Sequence, residues 1–233
     1  MFKTIAAAVN DFSHLFFPHN CLGCGTDVLQ NDAVLCIQCF TKLPVTGFIE
    51  QPNNPVEKIF YGRASIEHAV SAFYFTKDST MQRLITDLKY RNNKNAGFYL
   101  GKLLGMQLAG TERFNNVDVI IPLPLNPKKE KKRGYNQATV IAEGIQTEWN
   151  KPLLIKAVAR KLFTETQTQK GRIDRWQNMQ DVFMVKDAPA LQDKHILLVD
   201  DVVTTGASLE ACASVILKVP GAKVSVATVA YTI

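Results

Sequence analysis

The segment His195–Leu209 constrains this chain more than any other. A short apolar run, His195 to Val199, reads as a buried strand and leads into two adjacent acids, Asp200 and Asp201. A loop of small and hydroxyl residues follows, Thr204, Thr205, Gly206, Ala207 and Ser208, and helical spacing then continues from Ser208 to Val219. Such a loop at a helix start exposes backbone N–H groups and the positive end of the helix dipole, which together attract a phosphate. It also lies beyond the carboxyl end of a strand, where open α/β sheets hold ligands. The acids cannot favour a phosphate themselves. They can accept hydrogen bonds from sugar hydroxyls, directly or through Mg²⁺. Phosphate on the loop and hydroxyls on the acids describe a ribose 5-phosphate. An ordinary turn with Ser or Thr as N-cap is the alternative, and strand, paired acids, Thr-Thr-Gly and Ser in this order favour the ligand.

The surrounding pattern supplies a fold for such a loop. Helical spacing is expected over Ser79–Tyr90, Ala96–Leu108 and Asn136–Trp149. Strands are expected over Asp118–Leu123, Leu153–Ala159, Asp181–Val185 and Lys223–Tyr231. Strands alternating with helices indicate an α/β domain with a mainly parallel sheet. With 233 residues the chain is long enough to bury a core, and 46% hydrophobic content argues against disorder. No apolar run reaches the ~20 residues that cross a bilayer. The first eighteen residues are broken by Asp11 and lack a small-residue cleavage site, so a cytoplasmic chain is expected. Within them Phe2, Ile5, Val9, Phe12 and Phe16 fall at helical spacing, as in a helix docked on the body.

Net charge is +6, a mild excess that suits an anionic ligand or weak nucleic-acid contact. Three stretches concentrate it: Lys89, Arg91 and Lys94; Lys128, Lys129, Lys131, Lys132 and Arg133; and Arg160, Lys161, Lys170, Arg172 and Arg175. Solvated surface is the bland reading. Loops converging on phosphates are the sharper one. Stacking aromatics are not evident in the sequence around Lys128–Arg133, which counts against a single-strand nucleic-acid groove there.

Four of the five cysteines lie close together, as Cys21-Leu-Gly-Cys24 and Cys36-Ile-Gln-Cys39. Two C-x-x-C knuckles can aim four sulfurs at one centre, the tetrahedral shell of a structural Zn²⁺ site. A pair of disulfides is the alternative, disfavoured in a reducing cytosol. Four thiolates around Zn²⁺ leave no open position for water, so the expected role is structural. Cys212 stands apart in a helical apolar pattern and reads as core. Between the cysteines and the α/β pattern, Leu43–Pro55 carries Pro44, Pro52 and Pro55 and reads as a linker. The chain therefore divides into 1–55, a helix, a four-cysteine module and a linker, and 56–233, the α/β domain.

The Asp200–Ser208 segment resembles the phosphoribosyl pyrophosphate (PRPP) motif of type I phosphoribosyltransferases. The resemblance widens over nearly the whole chain. His14 to Gly25, Leu88-Lys-Tyr-Arg91, Ile121-Pro-Leu-Pro-Leu125, Arg133-Gly-Tyr-Asn-Gln-Ala138 and Thr166-Gln-Thr-Gln169 with Arg175 and Asn178 are similar to the ComF/GntX family. Members of that family are competence-associated proteins with a zinc module before a phosphoribosyltransferase domain. The resemblance implies a type I phosphoribosyltransferase-like parallel sheet flanked by helices, structural Zn²⁺ on Cys21, Cys24, Cys36 and Cys39, and Mg²⁺ bound with PRPP. Asp200 and Asp201 would be catalytic, holding the ribose hydroxyls and Mg²⁺. Thr204, Thr205, Gly206, Ala207 and Ser208 would cradle the 5-phosphate. Pro124 and Lys128, within the loop 122–129, would face the pyrophosphate, and Arg175 would belong to a hood over residues 160–175. The implied activity is phosphoribosyl transfer to an acceptor in DNA uptake. The alternative is a PRPP- or single-stranded-DNA-binding module working with a competence helicase or other uptake proteins. Thr204 stands where several type I enzymes acting on purine bases carry an Asp, which argues against a purine acceptor. Tyr135, Asn136 and Gln137 are candidates for acceptor recognition, with helix capping the alternative for Asn136.

Overall fold

The computed structural model describes residues 20–27, 33–161 and 182–233. After the cysteine knuckles come short helices α1 (Ile37–Thr41) and α2 (Pro55–Lys58), then strand β1 (Ala69–Phe75). Helices α3 (Thr80–Tyr90) and α4 (Lys94–Ala109) precede β2 (Val119–Pro122), α5 (Pro127–Arg133) and α6 (Gln137–Trp149). Short strands β3 (Val158–Arg160) and β4 (Phe183–Val185) follow. The chain ends with β5 (His195–Val203), α7 (Ala207–Ile216) and β6 (Lys223–Thr232). The expected N-terminal helix and the segment Thr164–Arg175 lie outside the described residues. No helix among the described residues is long and apolar enough to cross a membrane.

Four strands form one all-parallel sheet in the order β1-β6-β5-β2. The central strand β5 pairs Val119 with Ile196 on one side and Lys223 with His195 on the other. Leu197 and Val199 face the core shared with α3, α4 and α6, while Ile196 and Leu198 face the core shared with α7. Burial on both faces explains why its sequence is continuously apolar rather than alternating. Among the described residues, the expected strands Leu153–Ala159 and Asp181–Val185 join the main sheet only through one bridge from Leu153 to Ile120. Their far parts instead pair with each other, antiparallel, in a separate ribbon.

Helices α4 and α6 touch backbone to backbone. A Cβ on Gly101 would meet the Ile141 carbonyl at 2.1 Å, and one on Gly144 would meet the Phe98 carbonyl at 2.2 Å. The caps follow the sequence: Ser79 accepts from Gln82 N–H, Asn93 from Ala96 N–H and Asn136 from Ala138 N–H.

The stretch Leu43–Pro55, expected as a linker, is part of the body. Tyr74 N–H donates to the Pro44 carbonyl at 2.8 Å and Thr46 N–H to the Ala72 carbonyl at 3.0 Å, so the segment covers the free edge of β1. Phe48 is buried and meets Tyr74 and Tyr231 edge-on, at 5.6 and 6.1 Å between ring centroids. Cys21, Leu35, Cys39 and Leu43 belong to the same apolar cluster as α3 and α4. The prolines signal irregular backbone, but Leu43 and Phe48 between them bury enough surface to hold it down.

Candidate functional site

Strand β5 runs on to Val203, past the expected end at Val199, so both acids sit within its last hydrogen-bonded turns of pleat. Asp201 is buried and Asp200 half-buried. Asp201 N–H donates to Asp200 Oδ1 at 2.8 Å, and Asp201 Oδ1 takes an ion pair from Lys89 Nζ at 2.9 Å. Desolvation first, and the adjacent Asp201 charge second, push the Asp200 carboxyl up to about 8; the Asp201 N–H, Lys89 and Arg160 oppose them.

The loop beyond the acids is open. Thr204, Thr205, Ala207 and Ser208 are all exposed. Gly206 caps α7 in the left-handed region, φ 70°, and no side chain accepts from the first helical N–H groups. Those donors are left to water or to an anion. Glycine is required here twice over: the φ disfavours any side chain, and a Cβ would lie 2.6 Å from Ile59 Cγ2. The loop is braced from behind by Arg63, which donates to the Thr205 carbonyl at 2.9 Å and pairs with Glu210.

Beside the acids lies a cavity of about 520 Å³ lined by Lys89, Tyr90, Asn92, Lys129, Lys132 and Arg133. The helix α5 supplies three of these cations. Asn126 accepts from Lys128 N–H and Lys129 N–H to start it, Gly134 at φ 85° ends it, and none of its residues is buried. Two of the three basic stretches of the sequence thus converge. Pro124 and Lys128, the residues singled out in the loop 122–129, do not line the cavity. Arg175 lies outside the described residues. Arg160, at the start of the third stretch, stacks over the Phe183 ring with its guanidinium 5.3 Å from the centroid.

Tyr135, Asn136 and Gln137 face inward and build the scaffold rather than an acceptor pocket. Tyr135 is buried and its hydroxyl donates to the Leu88 carbonyl. Asn136 caps α6 and donates to the Leu123 carbonyl at 2.9 Å. Gln137, also buried, donates to the Tyr135 carbonyl at 3.3 Å.

The four cysteine sulfurs all lie within 4.8 Å of one another, and none is in a disulfide. Cys24 Sγ and Cys36 Sγ are 3.7 Å apart. Sulfurs at ~2.3 Å from a tetrahedral ion would be ~3.8 Å apart, so the donor set fits Zn²⁺. Backbone N–H groups of Gly23 and Cys36 point at Cys21 Sγ, at 3.4 and 3.2 Å. Burial alone would raise the Cys21 thiol, yet the backbone N–H groups of Cys36, Cys24 and Gly23, with the Cys36 thiol, outweigh it and bring it down to about 6. Burial and the neighbouring sulfurs push Cys39 up to about 12. Gly23 must lack a side chain because a Cβ would lie 2.7 Å from Cys39 Sγ. Arg83 of α3 donates to the Gly23 carbonyl at 2.7 Å and ties the knuckle to the body.

Among solved structures, the glutamine PRPP amidotransferase from B. subtilis aligns with 61% of this chain and 30% of its own, at 15% identity and TM-score 0.44. Competence protein F of Haemophilus influenzae is 30% identical over 139 residues, 58% of this chain and 61% of that protein. Competence protein ComFC of Bacillus subtilis is 34% identical over 100 residues, 43% of this chain and 38% of that protein. The chain thus spans less than two thirds of either. The DNA utilization protein YhgH of Salmonella typhimurium is 26% identical over 213 residues, 88% of this chain and 87% of that protein. Residues 138–232 match the family described as Phosphoribosyl transferase domain. Over these spans the chain is similar to the competence proteins F and ComFC, and residues 138–232 to a phosphoribosyl transferase domain.

Several residues of this site escape a reading of the sequence. Arg63 braces the loop from 142 positions away. Tyr90 is 77% exposed on the cavity rim with the Arg133 guanidinium 5.8 Å from its ring centroid. The aromatic absent from the sequence around Lys128–Arg133 is thus provided by α3. A signal was available for Lys89 and Tyr90, since both fall in the Leu88–Arg91 element; for Arg63 there was none.

The raised Asp200 carboxyl makes the stability of the chain depend on pH. Between the ordinary 3.8 and about 8 the native state holds a proton that the unfolded chain has released. Stability therefore falls as pH rises through that window. Asp200→Asn cannot lose a proton, so its stability relative to the native chain is expected to rise across the same window. Denaturant unfolding in magnesium-free buffer measures this; parallel curves for the two proteins would contradict it.

Proposed function

We propose that this chain binds PRPP and transfers its phosphoribosyl group to an acceptor, in the service of DNA uptake. One observation carries the reading: an open, uncapped helix start at Gly206–Ser208 directly follows a desolvated carboxylate pair. The backbone N–H groups of that loop, with the Thr204, Thr205 and Ser208 hydroxyls, hold the 5-phosphate. Asp200 and Asp201 accept the ribose hydroxyls. Their hard oxygen donors also suit Mg²⁺, which when bound would supply charge neutralisation at the pyrophosphate. The acceptor's lone pair forms a bond to C1 as the C1–O bond breaks. The bonding electrons leave with the pyrophosphate, and the acceptor's proton passes to solvent. Positive charge that builds on the ring faces the acids, and negative charge on the leaving group faces Lys89, Lys129, Lys132 and Arg133. The relatives named for competence and DNA utilization support the cellular role.

The decisive measurement is titration calorimetry with PRPP and Mg²⁺, paired with an assay for released pyrophosphate. Binding is expected in the native chain, and the double variant Asp200→Ala, Asp201→Ala should lose at least about tenfold in affinity. No heat from the native chain would end the reading; binding without release under any acceptor would reduce it to a sensor of PRPP.

The four thiols hold Zn²⁺ as a structural ion on this reading. Purified without chelator, the chain should carry ~1 zinc, and stripping it should lower the unfolding temperature because the cysteines share a core with α3 and α4. A metal-free chain with an unchanged unfolding temperature would contradict this.

A second reading is favoured by Tyr90. An exposed ring flanked by Arg133 and bordered by Lys129 and Lys132 is the arrangement on which single-stranded bases stack. Oligothymidylate binding should weaken with added salt, and Tyr90→Ala should cost about tenfold in affinity. Fluorescence anisotropy decides it: an unaffected Tyr90→Ala variant would remove the stacking contact.

A further inference from the structure

We propose that Arg63 is a positioning residue for the 5-phosphate, a role that rests on the PRPP reading of the site. It turns the Thr205–Gly206 peptide so that its N–H faces the phosphate. It also cancels the charge of Glu210, which would otherwise repel that phosphate.

The helix that begins at the loop carries an anion of its own. Glu210 is the acidic residue in the first turn of α7. Its N–H donates to the Gly206 carbonyl at 2.8 Å, so it stands one turn from the loop. A carboxylate at a helix start is favoured by the dipole and stabilises the helix by itself. A phosphate arriving at the same end meets that charge, and the two anions compete for one positive pole. A cation beside Glu210 removes the conflict. Among the described residues, Arg63 is the cation that pairs with it.

The same guanidinium shapes the loop. Nη1 donates to the Ile59 carbonyl at 3.1 Å and to the Thr205 carbonyl at 2.9 Å, while Nη2 reaches Glu210. In a planar trans peptide the C=O and the following N–H point in opposite directions. Holding the Thr205 carbonyl on Arg63 therefore turns the Gly206 N–H away from Arg63. A carbonyl swung the other way would present its partial negative charge to the phosphate instead.

Arg63 is itself fixed by the turn that carries it. Arg63 N–H and Ala64 N–H both donate to the Phe60 carbonyl, at 3.0 and 3.1 Å. Phe60 is fully buried and, with Ile59, backs Gly206, where a Cβ would lie 3.2 Å from Phe60 Cε1. Buried Asn54 starts α2 by accepting from Val56 N–H and Glu57 N–H, which anchors the other end of the segment.

Lysine could fill only half of this role. The three acceptors are shared between two nitrogens of a planar fork, and a single ammonium nitrogen cannot occupy both places. It can still hold a positive charge beside Glu210. The charge and the peptide orientation are therefore separable by substitution.

Titration calorimetry on the full chain with Mg²⁺ and ribose 5-phosphate tests this, with inorganic pyrophosphate as the control probe for the basic cavity. Arg63→Met should lower ribose 5-phosphate affinity about tenfold and change pyrophosphate affinity by less than about twofold. Adding Glu210→Gln to Arg63→Met should recover about threefold, and Arg63→Lys should match that double variant. Added salt should close the gap between Arg63→Met and the double variant, because only a charge separates them, and should leave the gap between the double variant and the native chain. A native chain that binds ribose 5-phosphate while Arg63→Met binds it equally well overturns the role of Arg63 alone. An equal loss toward pyrophosphate overturns it too, since the whole fold would then have loosened. A double variant no better than Arg63→Met overturns the part given to Glu210. A native chain that binds no ribose 5-phosphate overturns the PRPP reading and this inference with it.

Discussion

Strand β5 has to be apolar on both faces and yet deliver two acids, and the rest of the molecule is arranged around that conflict. Ile196, Leu197, Leu198 and Val199 are fully buried between two layers of helices. Two residues later the same strand carries a buried carboxylate. Ionised carboxylates in such surroundings are costly unless paired. The structure resolves the cost in two different ways. Asp201 receives the ammonium of Lys89, whereas Asp200 holds its proton more tightly. The pair is thereby poised: a cation or a set of sugar hydroxyls reaching it would take over the work that Lys89 and a proton do in its absence.

That arrangement depends on helices far from the acids in sequence. Lys89 reaches Asp201 because α3 ends where Tyr135 can hold Leu88, and Tyr135 lies where it does because α6 packs closely on α4. The close approach rests on Gly101 and Gly144, whose hydrogen atoms face carbonyls of the opposite helix. The Arg133–Gln137 run therefore has two jobs. Arg133 faces the cavity, while Tyr135 and Gln137 point inward and fix the geometry of everything around it. The cysteine knuckles join the same frame through Arg83, which extends from the helix that carries Lys89 to the Gly23 carbonyl.

Much of this was legible from residue order. The alternation of apolar runs with helical spacing gave the parallel α/β class, and Asn136 caps α6 as the capping alternative had it. Two C-x-x-C pairs predicted converging sulfurs, and they converge. Other expectations failed for physical reasons. The prolines of 43–55 suggested a linker, but a sheet edge needs cover and Phe48 gives the segment something to bury. Tyr135, Asn136 and Gln137 were candidates for acceptor recognition, but each of these side chains found a backbone partner within the fold. The expected strands before and after the Arg160 stretch are real in part, yet they form a ribbon of their own.

The sequence by itself determined whatever depends on near neighbours: the strand that ends in acids, the uncapped glycine loop, the paired knuckles, the basic run of α5. These are local because caps, turns and C-x-x-C spacing act within a few residues of chain. Tertiary structure alone decided which distant groups meet. It brought Lys89 to Asp201, Tyr90 to Arg133 and Arg63 to the Thr205 carbonyl. Such contacts are set by where helices pack on the sheet, and packing is governed by shape across the whole core rather than by the residues that happen to touch.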